Sequence, residues 1–161
     1  MSTLEDLRGG AARLWDSLAE GWRHLVSRAS GALTRFHPNK SKEKKGVPDV
    51  IRGSEWGLLA ADLFDDGNKV VVRLEAPGME LDDFDVCVHD EVLIVRGEKH
   101  YQSERSEAGY QIAECAYGTF ERAIPLPDNV DGSQAKAKYR RGVLRIEIPR
   151  ISSKRHTVNI D

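Results

Sequence analysis

The residues of this chain best able to do chemistry are five histidines, two cysteines and a short run of aspartates. Their spacing limits what that chemistry can be. His24, His37, His89, His100 and His156 are scattered, with no HExxH pair for zinc and no nearby GxSxG serine for a triad, so each reads as a surface histidine. Cys87 and Cys115 form no CxxC and have no histidine at ligand spacing, which points to reduced thiols in a cytosolic protein rather than a zinc site or a disulfide framework. Asp82, Asp83 and Asp85 lie at the entrance of an apolar run without the spacing of a calcium loop. Neither GxxxxGK[ST] nor GxGxxG occurs, so nucleotide hydrolysis has no visible machinery. The expectation is a protein with no catalytic residue, no cofactor and no metal.

The elements that would carry any other function are strands. From residue 58 onward apolar and polar residues alternate in seven runs: LLAADLF, KVVVRLEA, DFDVCVH, EVLIVRGE, TFERAIPL, QAKAKYR and GVLRIEI. Turn signals separate most of them, among them DDGN, PGMELD and PDNVDG. The pattern predicts an all-β, antiparallel, immunoglobulin-like β-sandwich over residues 46–150. Period two assigns Val70, Val72, Leu74 and Ala76 to one buried face and Leu144, Ile146 and Ile148 to another.

Residues 1–45 follow a different period. Leu4, Leu7, Ala11, Leu14, Leu18, Trp22, Leu25, Ala29, Leu33 and Phe36 recur at steps near three and four, with Trp15 beside them, and Ser2 and Glu5 have capping-box spacing. An amphipathic helical arm is expected, jointed at Gly9, Gly10, Gly21 and Gly31, each of which costs a helix interior about 1 kcal/mol relative to alanine. Such an arm either packs on the body as an extra layer or stays adaptable. The lysine-rich NKSKEKKG that follows reads as a linker, with a weak nucleic-acid patch as the alternative. Residues 1–45 hold nine Lys/Arg against five Asp/Glu, leaving fifteen against twenty-one for the remainder, so a basic arm precedes an acidic body. No run approaches the eighteen or so apolar residues of a transmembrane helix.

One interval exceeds what a hairpin needs. KHYQSERSEAGYQIAE, residues 99–114, is polar at first and ends in a short run, Tyr110, Gln111, Ile112 and Ala113, that makes a strand only beside another edge.

Taken together these residues resemble the α-crystallin domain of the small heat-shock proteins, in a bacterial-type arrangement. EAPG at residues 75–78 resembles the family's apolar-Pro-Gly turn. AYGTFERAIPLPDNVD resembles its glycine, phenylalanine, arginine and Leu-Pro pattern through Gly118, Phe120, Arg122, Leu126 and Pro127. AKYRRGVL matches at Ala137, Gly142, Val143 and Leu144, with Arg141 where asparagine is usual, and VNI at residues 158–160 resembles the carboxy-terminal motif.

The resemblance implies roles. Tyr110, Gln111, Ile112 and Ala113 would cross to pair with a partner's first body strand near Leu58, Leu59, Ala60 and Ala61, giving a strand-exchanged dimer. Phe84, Val86 and Val88 with Ala135, Ala137 and Tyr139 would wall a groove that takes Val158 and Ile160 from a short flexible tail, residues 151–161, linking dimers into larger oligomers. Arg122 is either a charge partner across the dimer interface or an exposed strand arginine. The implied function is an ATP-independent holdase in the cytoplasm, binding unfolding client proteins through Leu14, Trp15, Leu18, Trp22 and Leu25 and passing them to ATP-dependent chaperones. The alternatives are a β-sandwich co-chaperone or adaptor that docks one defined partner, and a membrane-surface stress protein using the basic arm.

Overall fold

A computed structural model describes residues 16–24, 27, 31–38, 55–101 and 114–151. The chain divides into two units, Met1–Leu33 and Thr34–Asp161. In the first, residues 16–24 form a helix whose described side chains are all exposed, Leu18 and Trp22 among them, and Ser27 Oγ donates to the His24 carbonyl at 3.0 Å.

The second unit is an antiparallel sandwich. Its strands are β1 (Leu33–His37), β2 (Trp56–Leu58), β3 (Ala61–Asp65), β4 (Lys69–Glu75), β5 (Phe84–His89), β6 (Val92–Lys99), β7 (Gly118–Pro125), β8 (Lys136–Arg140) and β9 (Val143–Pro149). One sheet runs β2-β1-β7-β6-β5 and the other β3-β4-β9-β8. The expected alternation is present: Val70, Val72 and Leu74 pair with Ile148, Ile146 and Leu144, and all six are buried. Leu93, Val95, Phe120 and Ile124 of the five-stranded sheet pack against them, with Phe36 set 5.2 Å from the Phe120 ring. Period two produces this directly, because residues i and i+2 share a face.

The turn inside AKYRRGVL is a two-residue hairpin in which Arg141 and Gly142 both have positive φ, 52° and 79°. Glycine takes this region freely, whereas Arg141 holds a conformation that asparagine adopts more readily, which accounts for the residue usual at that position.

Three expectations fail. Residues 58–64 are not one strand: Leu58 ends β2 in the five-stranded sheet, and β3 begins at Ala61 in the other. The chain changes sheets there because Leu59 drops its side chain into the core, and the Ala60 carbonyl is taken by Glu75 N–H at 2.9 Å. The arm, moreover, is not helical through Phe36. Leu33–His37 is a strand whose Phe36 and His37 pair with Phe120 and Thr119, and Thr34 and Phe36 are each 3% exposed. A β-branched threonine flanked by alternating burial outweighs the three-residue spacing of Leu33 and Phe36. The strand expected from residue 134 starts at Lys136, since Gly132–Gln134 forms a 3-10 turn capped by Asp131, whose carboxylate accepts from Ser133 N–H.

Candidate binding surfaces

Three surfaces remain open once the core is filled. The first lies where the edge strands β5 and β8 face each other across the sandwich. Phe84, Val86 and Val88 point inward from β5 and are half-buried, as are Ala135 and Tyr139, while Ala137 is exposed. The Phe84 and Tyr139 rings meet at 4.9 Å and bridge the two edges, and the Tyr139 hydroxyl donates to the Ala76 carbonyl at 2.8 Å. At the opposite end Gly132 approaches so closely that a Cβ would lie 2.8 Å from Val88. Val86 and Ala137 face the gap between these two bridges. All six expected groove residues are therefore brought to one rim. Val158 and Ile160 lie outside the described residues.

The second surface is the free edge of β3. It pairs only with β4, and its outer ladder of N–H and C=O groups has no strand beside it among the described residues. Leu63 is 41% and Phe64 63% exposed there. Of the residues expected to receive a partner strand, only Ala61 lies on this edge. Leu58 is exposed on β2, Leu59 is buried, and Ala60 sits between the sheets' strands. Tyr110, Gln111, Ile112 and Ala113 lie outside the described residues. So do Leu14, Trp15 and Leu25, which leaves Leu18 and Trp22 as the described members of the arm's apolar face.

The third feature is Arg122. Its neighbours at i±2, Phe120 and Ile124, are buried inward residues, and Arg122 shares their face rather than the solvent face. Its Nε is buried with no hydrogen-bond partner among the described residues. Burial lowers its pKa from the ordinary arginine value, and the guanidinium nonetheless remains a cation. The parity of Phe120 and Ile124 carries this signal in the sequence. A histidine–carboxylate contact was less visible: His100 Nε2 lies 3.2 Å from Asp83 and its Nδ1 3.6 Å from Glu98, which joins the Leu81–Asp83 3-10 turn to the end of β6. Residues 17 apart in sequence meet there only because β5 and β6 pair.

Cys87 and Cys115 are free and exposed. Among the described residues no group of His, Cys, Asp or Glu could hold a metal ion, and no helix is long and apolar enough to cross a membrane. What the surfaces offer is a strand edge, an apolar rim and exposed apolar side chains, which is the equipment of a protein that binds other polypeptides.

An antiparallel two-sheet sandwich whose edges are left open in this way is the α-crystallin type of fold. Residues 62–161 match the Hsp20/alpha crystallin family, and the chain belongs to that family. It is similar to small heat shock protein C4 of Rickettsia felis, 32% identical over 89 residues that are 55% of each chain. It is also similar to the 18 kDa antigen 2 of Mycobacterium avium, 36% identical over 117 residues, 73% of this chain and 83% of that one. The match spans only about half the length of several of the curated relatives, 51% and 48% for two of them. Among solved structures, a small heat-shock protein from Xylella fastidiosa superposes with a TM-score of 0.54 at 25% identity, covering 65% of this chain and 97% of that one. HspA from Xanthomonas axonopodis superposes with a TM-score of 0.52 at 30% identity, covering 57% and 92%. The family is one of non-catalytic stress chaperones.

Proposed function

We propose that this protein is an ATP-independent holdase that binds partly unfolded proteins through exposed apolar side chains and keeps them from aggregating. The observation that carries the reading is an α-crystallin sandwich with an unpaired edge at β3 and large apolar residues left in water, Trp22, Leu63 and Phe64 being 66%, 41% and 63% exposed. Unfolding clients expose the same kinds of surface, and burying one Leu or Phe side chain is worth about 1.5–3 kcal/mol. A few such contacts hold a client reversibly without hydrolysis.

In this reading the segment of Tyr110, Gln111, Ile112 and Ala113 pairs with the Ala61–Asp65 edge of a second copy, which satisfies its backbone groups. Val158 and Ile160 enter the rim between β5 and β8 and join dimers into larger oligomers. Leu14, Trp15, Leu18, Trp22 and Leu25 take client. Arg122, whose Nε lacks a partner within the described chain, receives an acceptor at the dimer interface. Cytoplasmic action and release of clients to ATP-dependent chaperones complete the proposal.

The test is light scattering of a heat-labile client during warming, without nucleotide, at near-equal subunit concentrations. Suppressed scattering is expected. Unchanged scattering, with this protein still soluble, defeats the reading. Deleting residues 1–30, which leaves the β1 strand and its buried Thr34 and Phe36 in place, should abolish most suppression, and full activity in that variant would remove the arm from the mechanism.

A further inference from the structure

The outer face of the four-stranded sheet has a charge pattern that holdase action does not use. In register across three adjacent strands stand Lys138 of β8, Arg145 of β9 and Arg73 of β4, three cations side by side. Neighbouring strands are about 4.8 Å apart, so the row is dense. Lys69, Lys136 and Arg140 share the face, against Asp62, Glu75 and Glu147, which makes six cations to three carboxylates and a formal +3. Glu147 is taken by both Lys69, at 3.2 Å, and Arg145. Arg73, Lys136, Lys138 and Arg140 are exposed and have no ion pair among the described residues. Like charges directly opposite one another destabilise a sheet, and an opposing anionic surface would reverse that effect.

Such a surface lies on the opposite side of the same sandwich. A shallow concavity of about 730 Å³ on the outside of the five-stranded sheet is lined by the carboxylates of Asp82, Asp83, Asp85, Glu98 and Glu121 and the guanidinium groups of Arg35 and Arg96. With His37 neutral its formal charge is −3, equal and opposite to that of the cationic face.

We propose that the cationic row of one copy docks into the acidic concavity of a second copy. The long Lys and Arg side chains project from one face and the other is hollow, so shape and charge agree. Residues 46–161 carry fifteen Lys/Arg against twenty-one Asp/Glu, and a body of that net charge is repelled by a polyanion or an anionic bilayer, whereas a second copy offers matched charge locally. Because the two surfaces lie on opposite sides of one sandwich, the contact is head to tail and builds rings or stacks. It uses the outer faces of the two sheets rather than the free β3 edge or the inward side of the rim, although Phe84 borders both the rim and the concavity.

The test is sedimentation of the full chain in about 25 mM and about 500 mM NaCl, which brackets strong and weak screening. The weight-average mass should fall about twofold or more at high salt. Arg73→Glu with Lys138→Glu should give the smaller species at both salts, Arg73→Lys with Lys138→Arg should keep the large one, and adding Asp82→Lys and Asp85→Lys to the reversed pair should restore it. Arg73→Gln with Lys138→Gln, checked for cooperative unfolding, separates loss of charge from misfolding and should also give the smaller species. Wild-type mass and salt response in the reversed pair would overturn the proposal, as would failure of the compensating reversal to restore assembly. Co-sedimentation with phosphatidylglycerol vesicles that depends on Arg73 and Lys138, with no change in self-assembly, would overturn it in favour of a membrane. Client scattering measured on the same variants keeps the two readings distinct, since suppression without head-to-tail assembly leaves the holdase standing.

Discussion

The two sheets of this sandwich share a core and differ in what they show to water. Across the five-stranded sheet the row Asp85, Arg96, Glu121 alternates in sign, Arg96 Nε donates to Glu121 at 2.6 Å, and Arg35 is paired with Glu55 at 3.0 Å. The hydrogen bond and charge of Glu121 raise the Arg96 pKa. Across the four-stranded sheet the corresponding row is Lys138, Arg145, Arg73 and Asp62, three cations in succession before a single carboxylate on the edge strand. Cross-strand neighbours are the unit of sheet energetics, so the first row is arranged for the fold and the second against it. A row that works against its own sheet is the place to look for a partner.

The largest effect belongs to the core that both faces share, and it serves as a control. Ile146 is fully buried between Arg145 and Glu147, and Ile146→Ala should destabilise the sandwich by about 2–5 kcal/mol. Chemical denaturation in low and high salt should give the same loss. A loss that changed strongly with salt would mean that the faces and the core are not separable, and the comparison would fail.

Next come two charge reversals with opposite expected signs. Glu121→Lys puts a cation beside Arg96, and its melting temperature should fall by about 2–4 °C at low salt. Lys138→Glu puts a carboxylate beside Arg145, and its melting temperature should rise by about 1–2 °C under conditions that keep the protein dissociated. Both shifts should shrink as salt screens them. Two shifts of the same sign would show that register does not govern these surfaces.

Much of the sandwich is legible in the sequence, because Val70, Val72 and Leu74 or Leu144, Ile146 and Ile148 can satisfy period two only on one buried face. The misreadings occur where two periods compete or where the chain changes sheets. Leu33 and Phe36 fit a helix at i+3, yet Thr34 and Phe36 fit a strand at i+2, and pairing with β7 decides between them. Residues 58–61 look like the start of a strand, but one leucine, Leu59, turns into the core and breaks it. Among the site residues, the six of the rim rest on the family resemblance, and parity along β5 and β8 agrees with it for all but Ala135, which precedes β8. Arg122's inward orientation was equally readable from Phe120 and Ile124. The cationic row was not, since Arg73, Lys138 and Arg145 are far apart in sequence and become neighbours only once register is known.

The smallest effect concerns the turn that feeds the cationic sheet. Asp66 Oδ1 accepts N–H groups from Asn68 and Lys69 at 2.9 Å each, which ties the β3–β4 hairpin. The bonds from Lys69 and Asn68 hold its carboxyl below the ordinary value of 3.8. A folded pKa lower than the unfolded one means that the unfolded chain binds the proton more readily. The stabilisation is therefore complete above the ordinary value and disappears as pH falls through the folded one. Asp66→Asn keeps an acceptor oxygen but removes the titration, so the stability gap between wild type and variant should narrow as pH drops from 5 to 2. Sedimentation at each pH keeps assembly out of the measurement. Parallel curves would show that the Asp66 charge does not tie this turn, and the hairpin would then owe its closure to the other bonds there, Gly67 N–H to Asp65 Oδ1 at 2.9 Å and Asp66 N–H to the Lys69 carbonyl at 3.2 Å.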